Sequence, residues 1–466
     1  MTLADQDKAD SQSSMATAIT LGASTVLGAA TNLKARDSDI TPITVKGNAF
    51  FKGSDRFYMR GVDYQPGGSS DLSDPIADAD GCKRDIKNFK ELGLNTIRVY
   101  SVDNSKDHDE CMTALAEAGI YLVLDVNTPK YSINRAEPEM SYNDVYLQYI
   151  FATMEKFAKY DNTLAFFSGN EVINDGPSSK AAPYVKAVTR DMRTYLRSRK
   201  LREVPVGYSA ADVDTNRLEM AEYMNCGTDD ERSDFFAFND YSWCDPSSFT
   251  TSGWDQKVKN FTGYGLPLFL SEYGCNINTR KFQEVKSLYS TEMTPVYSGG
   301  LVYEYTEAGN KYGLVKISGD KVTTNKDYDA LKTAFEGTKN PTGNGGYNST
   351  GGASGCPKMQ KPNWDVDSDS LPAMPAPAKK YLTEGAGKGD GFAGKGSQNS
   401  GTKSSGTATQ GSGEVAAATG SSSAASGTSS TGAAPSLKPF QFSFAPATVG
   451  LVTVLSTVFG ASFILL

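Results

Sequence analysis

Short runs of β-branched and aromatic residues alternate with amphipathic stretches between about Pro42 and Gly337. We predict one strand in each of eight apolar runs, residues 57–64, 96–102, 121–127, 164–171, 204–210, 235–243, 267–274 and 299–307. Helices are predicted between them, for example over residues 79–92, 109–118, 141–160, 182–200 and 279–289. This alternation favours parallel strands joined by helical crossovers. Eight repeats over about 250–300 residues predict an α/β fold, a (β/α)8 TIM barrel over residues 42–337.

An open, doubly wound sheet is the alternative architecture for the same alternation. Such a sheet usually carries a glycine-rich phosphate-binding turn directly after its first strand. In this chain the corresponding stretch reads Gly61-Val-Asp-Tyr-Gln-Pro-Gly-Gly, which is not such a turn. The barrel is therefore favoured.

The composition changes after the barrel. Residues 338–380 form a C-terminal extension that contains Cys356, and residues 381–435 are rich in Gly, Ser, Thr and Ala. A segment with so few large apolar side chains cannot bury enough surface to offset its ordering entropy. We therefore predict that residues 381–435 form a disordered Gly/Ser-rich stalk.

Both ends of the chain carry candidate targeting signals. Small residues near Ser429, Ser430 and Gly432, a short spacer and an apolar tail are typical of a GPI-anchor signal, here residues 436–466, which is removed on attachment. A tail-anchored transmembrane helix is the alternative. An anchor requires the secretory pathway, so residues 1–30 are predicted to hold an N-terminal extension and a signal peptide. In that pathway the sequons at Asn260 and Asn348 can receive N-glycans.

Charge and composition exclude several functional classes. The 466 residues carry a net charge of −8, which argues against a nucleic-acid partner. A single histidine, His108, cannot build a multi-histidine metal site, and no cofactor motif is present. Six cysteines without a CxxC pair indicate three disulfides, and spacing alone allows 15 pairings. Catalysis is therefore expected to rest on carboxylates or on hydroxyls, without a metal or cofactor.

Functional residues of a TIM barrel gather at the carboxyl ends of its strands. The ends of the predicted strands carry carboxylates, amides and tyrosines, among which Glu171 and Glu272 stand out. Two facing carboxylates are what glycosidic bond cleavage needs, one as acid and base and the other as nucleophile. Asn170, next to Glu171, is placed to bind a sugar 2-hydroxyl. A single strand-end glutamate would instead be read as part of a surface ion pair.

Longer motifs carry a more specific resemblance. They include Arg-Gly-Val-Asp-Tyr-Gln-Pro-Gly at 60–67, Asn-Thr-Ile-Arg-Val-Tyr at 95–100, Gly-Asn-Glu-Val at 169–172, Ser-Glu-Tyr-Gly-Cys-Asn at 271–276 and Tyr-Gly-Leu-Val at 312–315. Together they resemble glycoside hydrolase family 72, the fungal β-1,3-glucanosyltransferases of the cell wall. The resemblance covers roughly residues 42–356.

The resemblance implies roles for individual residues. Glu171 would be the acid/base and Glu272 the nucleophile of a retaining enzyme. Substrate contacts would come from Tyr100, Asn127, Arg135, Asn170 and Tyr303 on the donor side, Asp212 and Arg217 on the acceptor side, with Gln65, Asp125 and Tyr241 in support. The implied disulfides are Cys82–Cys111, Cys226–Cys356, which tethers the extension, and Cys244–Cys275. No cysteine follows Cys356, so the chain resembles the form that lacks the cysteine-rich carbohydrate-binding module.

The implied activity is transfer of a cleaved β-1,3-glucan to another glucan chain, by a monomer anchored through GPI at the outer face of the cell membrane and in the cell wall. Two alternatives remain open. The same glutamates permit a hydrolytic endo-β-1,3-glucanase, and a wall-anchored glucan-binding protein could keep the barrel without catalysis.

Overall fold

The computed structural model describes residues 40–70, 72–409 and 411–416. This part of the chain begins with a three-stranded antiparallel sheet of β1 (Ile43–Lys46), β2 (Ala49–Lys52) and β3 (Asp55–Phe57). Its tight turns carry Gly47 and Gly53, both with positive φ angles of 54° and 62°, where a side chain would be strained. The sequence pattern did not predict this small sheet.

Eight parallel strands follow and close into a barrel. They are β4 (Met59–Asp63), β5 (Thr96–Val99), β6 (Tyr121–Asp125), β7 (Thr163–Asn170), β8 (Val206–Ala211), β9 (Phe235–Asp240), β10 (Leu268–Tyr273) and β11 (Tyr297–Val302). The last strand pairs with the first, Gly299 opposite Met59, and this closure rules out the open sheet. The predicted TIM barrel is confirmed, with each predicted strand overlapping an observed one.

The helices surround this barrel and follow it. They are α1 (Ala79–Glu91), α2 (Asp109–Glu117), α3 (Pro138–Ser141), α4 (Asp144–Ala158), α5 (Ala182–Ser198), α6 (Arg217–Met224), α7 (Trp254–Phe261), α8 (Glu284–Leu288), α9 (Lys326–Glu336) and α10 (Tyr381–Glu384). A hairpin of β12 (Val315–Ser318) and β13 (Lys321–Thr324) precedes α9. The helix predicted over 279–289 is only α8, because Arg280 is held in a loop by Asp327 and by the carbonyls of Tyr303 and Tyr312.

The small β1–β3 sheet closes the amino-terminal end of the barrel. Phe50 packs within 6.1 Å of Phe235 and 6.0 Å of Phe269, measured between ring centroids. Phe57 lies 5.3 Å from Tyr121 at the start of β6. These rings are buried, so the barrel interior is a packed core whose open end is the carboxyl end of its strands.

The three implied disulfides, Cys82–Cys111, Cys226–Cys356 and Cys244–Cys275, are all present in the structure. Cys82–Cys111 joins α1 to α2, and Cys244–Cys275 joins the segments that follow β9 and β10. Cys226, just after α6, holds Cys356 and so tethers the extension to the barrel.

The prediction that a flexible stalk begins at residue 381 is wrong for residues 381–409 and 411–416. This stretch starts with α10 and packs on the barrel, with Ala386, Gly391 and Ser397 buried. Its backbone is held by polar side chains such as Asn143, which donates to the carbonyl of Ser397 at 2.7 Å. The remainder of the predicted stalk, residues 417–435, lies outside the described residues.

The targeting predictions also lie outside the described residues, since residues 1–39 and 417–466 hold the candidate signal peptide and GPI signal, with Ser429, Ser430 and Gly432. Among the described helices, none has the length and apolar character needed to cross a membrane. Both sequons are placed: Asn260 is exposed in α7, and Asn348 is half-buried in a loop.

The disulfides give a prediction about stability. Closing a longer loop removes more entropy from the unfolded chain, so we expect the Cys226→Ser, Cys356→Ser double variant to lose about 5 kcal/mol of unfolding free energy. Its loop spans 130 residues. The double variants of the two shorter loops, 29 and 31 residues, should each lose about 1 kcal/mol less. Denaturant unfolding of the three proteins under one buffer condition measures this ranking, and a reversed order would contradict it.

Candidate active site

Glu171 and Glu272 lie where the barrel ladder is irregular. The pairing of β7 with β8 shifts register between Phe167 and Asn170, and β10 shifts against β9 between Leu270 and Glu272. Such bulges redirect side chains and are common beside active sites. Each glutamate therefore follows a local departure from regular pairing at the carboxyl end of its strand.

Arg98, at the carboxyl end of β5, is fully buried and links three other strands. It donates to both oxygens of Asp125, at 2.8 and 3.2 Å, and to Oε1 of Glu272 at 3.2 Å. Another N–H reaches Oδ1 of Asn170 at 3.0 Å. One cation thus joins side chains of β6, β7 and β10, which fixes their positions relative to one another.

Glu272 is 8% exposed and receives hydrogen bonds on both carboxylate oxygens. Tyr100 donates to Oε1 at 2.8 Å, and Tyr241 donates to Oε2 at 2.7 Å. Burial raises the pKa of Glu272 to about 7; Arg98 and the two tyrosine hydroxyls oppose this rise, and the charge of Glu171 adds to it. Donors on both oxygens favour the ionised carboxylate, the form that a nucleophile requires.

Glu171 directly follows β7 and has a left-handed backbone, with φ at 47°. Few residues other than glycine adopt this conformation, so the surrounding contacts must hold it. The amide of Glu171 donates to the carbonyl of Ser209 at 2.9 Å, and Arg135 donates to the carbonyl of Glu171 at 2.7 Å. Its carboxylate is half-buried and accepts from Asn239 at 2.8 Å.

Asn170 lies between the two glutamates in the hydrogen-bond network. Its Oδ1 accepts from Arg98, from Ser209 at 2.6 Å and from Asn239 at 3.1 Å. Its amide nitrogen has no acceptor among the described residues, so this NH2 group is the part of the side chain that can donate to a ligand. A chain of hydrogen bonds runs from Glu171 through Asn239, Asn170 and Arg98 to Glu272.

Tyrosine rings form one wall of the site. Tyr303 lies edge-to-face with Tyr100 at 6.5 Å and with Tyr241 at 6.3 Å, and its hydroxyl lies 3.2 Å from Oγ of Ser69. Tyr312 extends this wall, 5.3 Å from Tyr303 and 5.5 Å from Tyr241. The wall offers apolar faces and hydroxyl groups beside Glu272.

The supporting residues act at a distance from the mouth of the site. Gln65 is fully buried, and its Oε1 accepts from the amides of Tyr100 at 3.1 Å and Ser101 at 3.3 Å. Asp125 contacts Arg98 as described. Gln65 therefore fixes the backbone that carries Tyr100, whereas Asp125 compensates the charge that holds Glu272.

Asp212 and Arg217 form a separate ion-pair cluster. They bond to each other, and Lys257 donates to Asp212 and to Asp240, both at 2.6 Å. The cluster borders an open pocket of about 370 Å³, which Asn260 also lines. Among the described residues no hydrogen bond joins this cluster to either glutamate, so it is a neighbouring surface rather than part of the same network.

Asn127 and Arg135 lie on the loop between β6 and α3, residues 126–137. Asn127 accepts from the hydroxyl of Tyr146 at 2.5 Å and donates to the carbonyl of Phe167 at 3.4 Å. Arg135 contacts the backbone of Glu171, as given above. The loop therefore approaches the site through Glu171.

Four contributors were not assigned a role from sequence: Arg98, Asn239, Tyr312 and Lys257. Arg98 and Asn239 are strand-end residues, so the rule that found the glutamates also marked their positions. Their bridging contacts depend on how distant strands meet. Asp63 at the end of β4 is also buried, both its carboxylate oxygens lack a partner among the described residues, and burial raises its pKa well above the usual range.

Comparisons with known proteins agree with this geometry. The sequence model of the glucanosyltransferase family, glycoside hydrolase family 72, matches residues 32–339. The chain is 78% identical to the 1,3-beta-glucanosyltransferase gel1 of Aspergillus fumigatus over 97% of this chain and 99% of that protein. It is 53% identical to the 1,3-beta-glucanosyltransferase GAS5 of Saccharomyces cerevisiae, over 77% of this chain and 75% of that one.

A solved structure gives the same result. A mutant of Saccharomyces cerevisiae Gas2p in complex with laminaritetraose and laminaripentaose superposes with a TM-score of 0.68 at 36% identity, over 73% of this chain and 76% of that chain. The family match, the long alignments and the barrel with two linked glutamates lead to one conclusion: the chain belongs to the glucanosyltransferase family, glycoside hydrolase family 72.

Proposed function

We propose that this protein is a retaining β-1,3-glucanosyltransferase that cleaves an internal linkage of β-1,3-glucan and transfers the new reducing end to the non-reducing end of another glucan. Its substrates are donor and acceptor glucan chains, and its role is to elongate glucan in the cell wall. The observation that carries the proposal is the network from Glu171 through Arg98 to Glu272 in a chain 78% identical to a glucanosyltransferase.

The first displacement forms a covalent intermediate. Glu272 attacks the anomeric carbon with a carboxylate oxygen while the bond to the leaving glucan oxygen breaks, and Glu171 gives its proton to that oxygen. Tyr100, Asn170 and Tyr303 bind the donor sugar, with Asn127 and Arg135 on the same side. The free amide NH2 of Asn170 donates to the 2-hydroxyl, a contact that strengthens in the transition state.

The second displacement releases the elongated chain. Glu171, now ionised, takes the proton from the 3-hydroxyl of the acceptor, whose oxygen attacks the anomeric carbon and frees Glu272. Asp212 and Arg217 hold the acceptor. Good orientation of an acceptor is worth several kcal/mol, about what a sugar needs to compete with bulk water.

The cycle requires one proton on the two glutamates together. The carboxylate of Glu272 accepts from Tyr100, Tyr241 and Arg98, whereas among the described residues that of Glu171 accepts from Asn239. More donors therefore stabilise the ionised form at Glu272. The first step needs the proton on Glu171 and an ionised Glu272, and a negative charge on Glu171 raises the pKa of Glu272.

We further propose that residues 1–30 include a signal peptide, that residues 436–466 are replaced by a GPI anchor near Ser429, Ser430 or Gly432, and that the enzyme is an N-glycosylated monomer at the outer face of the cell membrane and in the cell wall. The sequons at Asn260 and Asn348 are both accessible in part or in full, which is what a glycan requires.

The glutamate assignment predicts two inactive variants. Glu272→Gln removes the nucleophile and should abolish formation of longer glucans from a defined laminarioligosaccharide. Glu171→Gln should slow the same reaction by about 10²–10⁴-fold because acid and base catalysis is lost. Mass analysis of the product lengths measures both effects. Glu292→Gln, an exposed surface change, is the control. Shorter products alone from the wild-type protein would identify a hydrolytic glucanase, and full activity of Glu272→Gln would show the assignment to be wrong.

The electrostatic coupling predicts a pH effect. A 2,4-dinitrophenyl β-laminarioligoside needs no acid, so glycosylation of Glu272 should slow only as the pH falls through the pKa of this carboxylate, about 7. Glu171→Gln removes a negative charge that raises this pKa, so the acidic limb of the rate profile should move to lower pH. The burst of dinitrophenolate in the first turnover measures the profile, because later turnovers also need Glu171 as the base. An unmoved limb, or one shifted to higher pH, would contradict the coupling; Glu292→Gln should leave it in place.

The anchor proposal has a direct test in a fungal host. The full chain should be found in the membrane fraction and be released by a phosphatidylinositol-specific phospholipase C. A chain ending at residue 435 should appear in the medium, because it lacks the signal for attachment. Resistance of the full chain to the phospholipase, with release only by detergent, would indicate a transmembrane tail.

A further inference from the structure

Residues 389–403, here called the strap, lie against the loop that reaches Glu171. The carbonyls of Phe392 and Gly394 accept from Lys130 at 2.7 and 3.3 Å. The amide of Ser397 donates to the carbonyl of Lys130 at 3.0 Å. Gln398 donates to the carbonyl of Ser132 at 2.9 Å. The strap thus forms hydrogen bonds with the first and the last residue of the loop segment 130–132.

The glycines of the strap permit this close approach. A Cβ on Gly394 would lie 2.0 Å from the hydroxyl of Tyr131, and one on Gly396 would lie 2.9 Å from the carbonyl oxygen of Lys130. Gly396 also has a φ of 88°, which disfavours other residues. The glycine content that suggested a stalk is therefore what allows the strap backbone to lie against this loop.

The far side of the strap is fixed to helix α4. Asn143, its N-cap, donates to the carbonyl of Ser397 at 2.7 Å, and the amide of Asp144 donates to the carbonyl of Thr402 at 3.2 Å. The amide of Thr402 returns a hydrogen bond to Asp144 at 2.5 Å. Because a helix terminus is a rigid attachment point, the strap holds the loop relative to the barrel.

The loop itself has little regular structure to fix its position. Thr128 and Tyr131 form a single bridge within it, and Tyr131 stacks on Tyr149 at 3.9 Å. From this segment the chain runs on to Arg135, which donates to the carbonyl of Glu171. The backbone of Glu171 is left-handed, so its orientation depends on such contacts.

We propose that the strap positions Glu171 for proton transfer, acting through the 126–137 loop and Arg135. Gln398 and Lys130 are then positioning residues of the reaction, and residues up to 403 are part of the catalytic unit rather than of a tether. The proposal rests on the function proposed above.

Two glycosyl-donor substrates distinguish a misplaced Glu171 from a general loss of folded enzyme. Cleavage of a laminarioligosaccharide needs the proton of Glu171, whereas a 2,4-dinitrophenyl β-laminarioligoside does not. Gln398→Ala should lower kcat on the oligosaccharide by about tenfold, since small misplacement of a catalytic group is costly. The burst of dinitrophenolate in the first turnover, which precedes the step that needs Glu171 as the base, should stay within about twofold of the wild-type rate. Lys130→Met removes the other side-chain contact and should show the same selective loss.

A matched control lies in the C-terminal extension, residues 338–380. The side chain of Gln360 donates to Glu219 at 3.4 Å and is exposed, so Gln360→Ala should leave both rates unchanged. Equal losses on the two donors, or no loss on either, in Gln398→Ala and Lys130→Met would overturn the proposal.

Amide hydrogen exchange tests the strap independently of activity. In Gln398→Ala, exchange of residues 128–135 should become faster while exchange of the barrel strands stays unchanged. Unchanged exchange in this loop would overturn the proposal even if the enzyme elongates glucan normally. A wild-type protein that turns over neither substrate would refute the proposed function. Amide hydrogen exchange of residues 128–135 would then still show whether the strap holds the loop.

Discussion

The buried guanidinium of Arg98 is the constraint on which the site depends. An unpaired charge in a protein interior costs several kcal/mol, so the strands that surround Arg98 must supply enough acceptors in the correct places. Asp125, Asn170 and Glu272 do so from β6, β7 and β10. The relative positions of these strands and the position of Glu272 therefore depend on the same interaction.

That shared centre still gives the two glutamates different surroundings. Glu272 is buried, and hydrogen bonds from Tyr100 and Tyr241 to its two oxygens compensate its charge. Glu171 is only half-buried, and its backbone is held by Ser209 and Arg135. The proposed roles, nucleophile for Glu272 and proton donor for Glu171, thus rest on the different contacts that two residues of one chemical type make.

Much of this arrangement could be predicted from sequence because the barrel converts linear order into geometry. Alternating apolar runs predicted the eight strands, and their carboxyl ends predicted Glu171 and Glu272. The role of Arg98 was not predicted, since it depends on distances between strands that no local pattern encodes. The small β1–β3 sheet was not predicted for a similar reason: the burial of Phe50 follows only from its packing against the rings of Phe235 and Phe269.

The strap shows why composition alone misjudged residues 381–416. Low apolar content predicts disorder when a segment must stabilise itself, because its ordering entropy has to be offset by its own burial. Here the barrel supplies the partners: Asn143 and Lys130 satisfy strap carbonyls, and the loop leaves a surface that only glycine backbone can approach. Order in such a segment is a property of the surface beneath it. A glycine-rich tail next to a catalytic loop is therefore better judged by the polar groups facing it than by its own side chains.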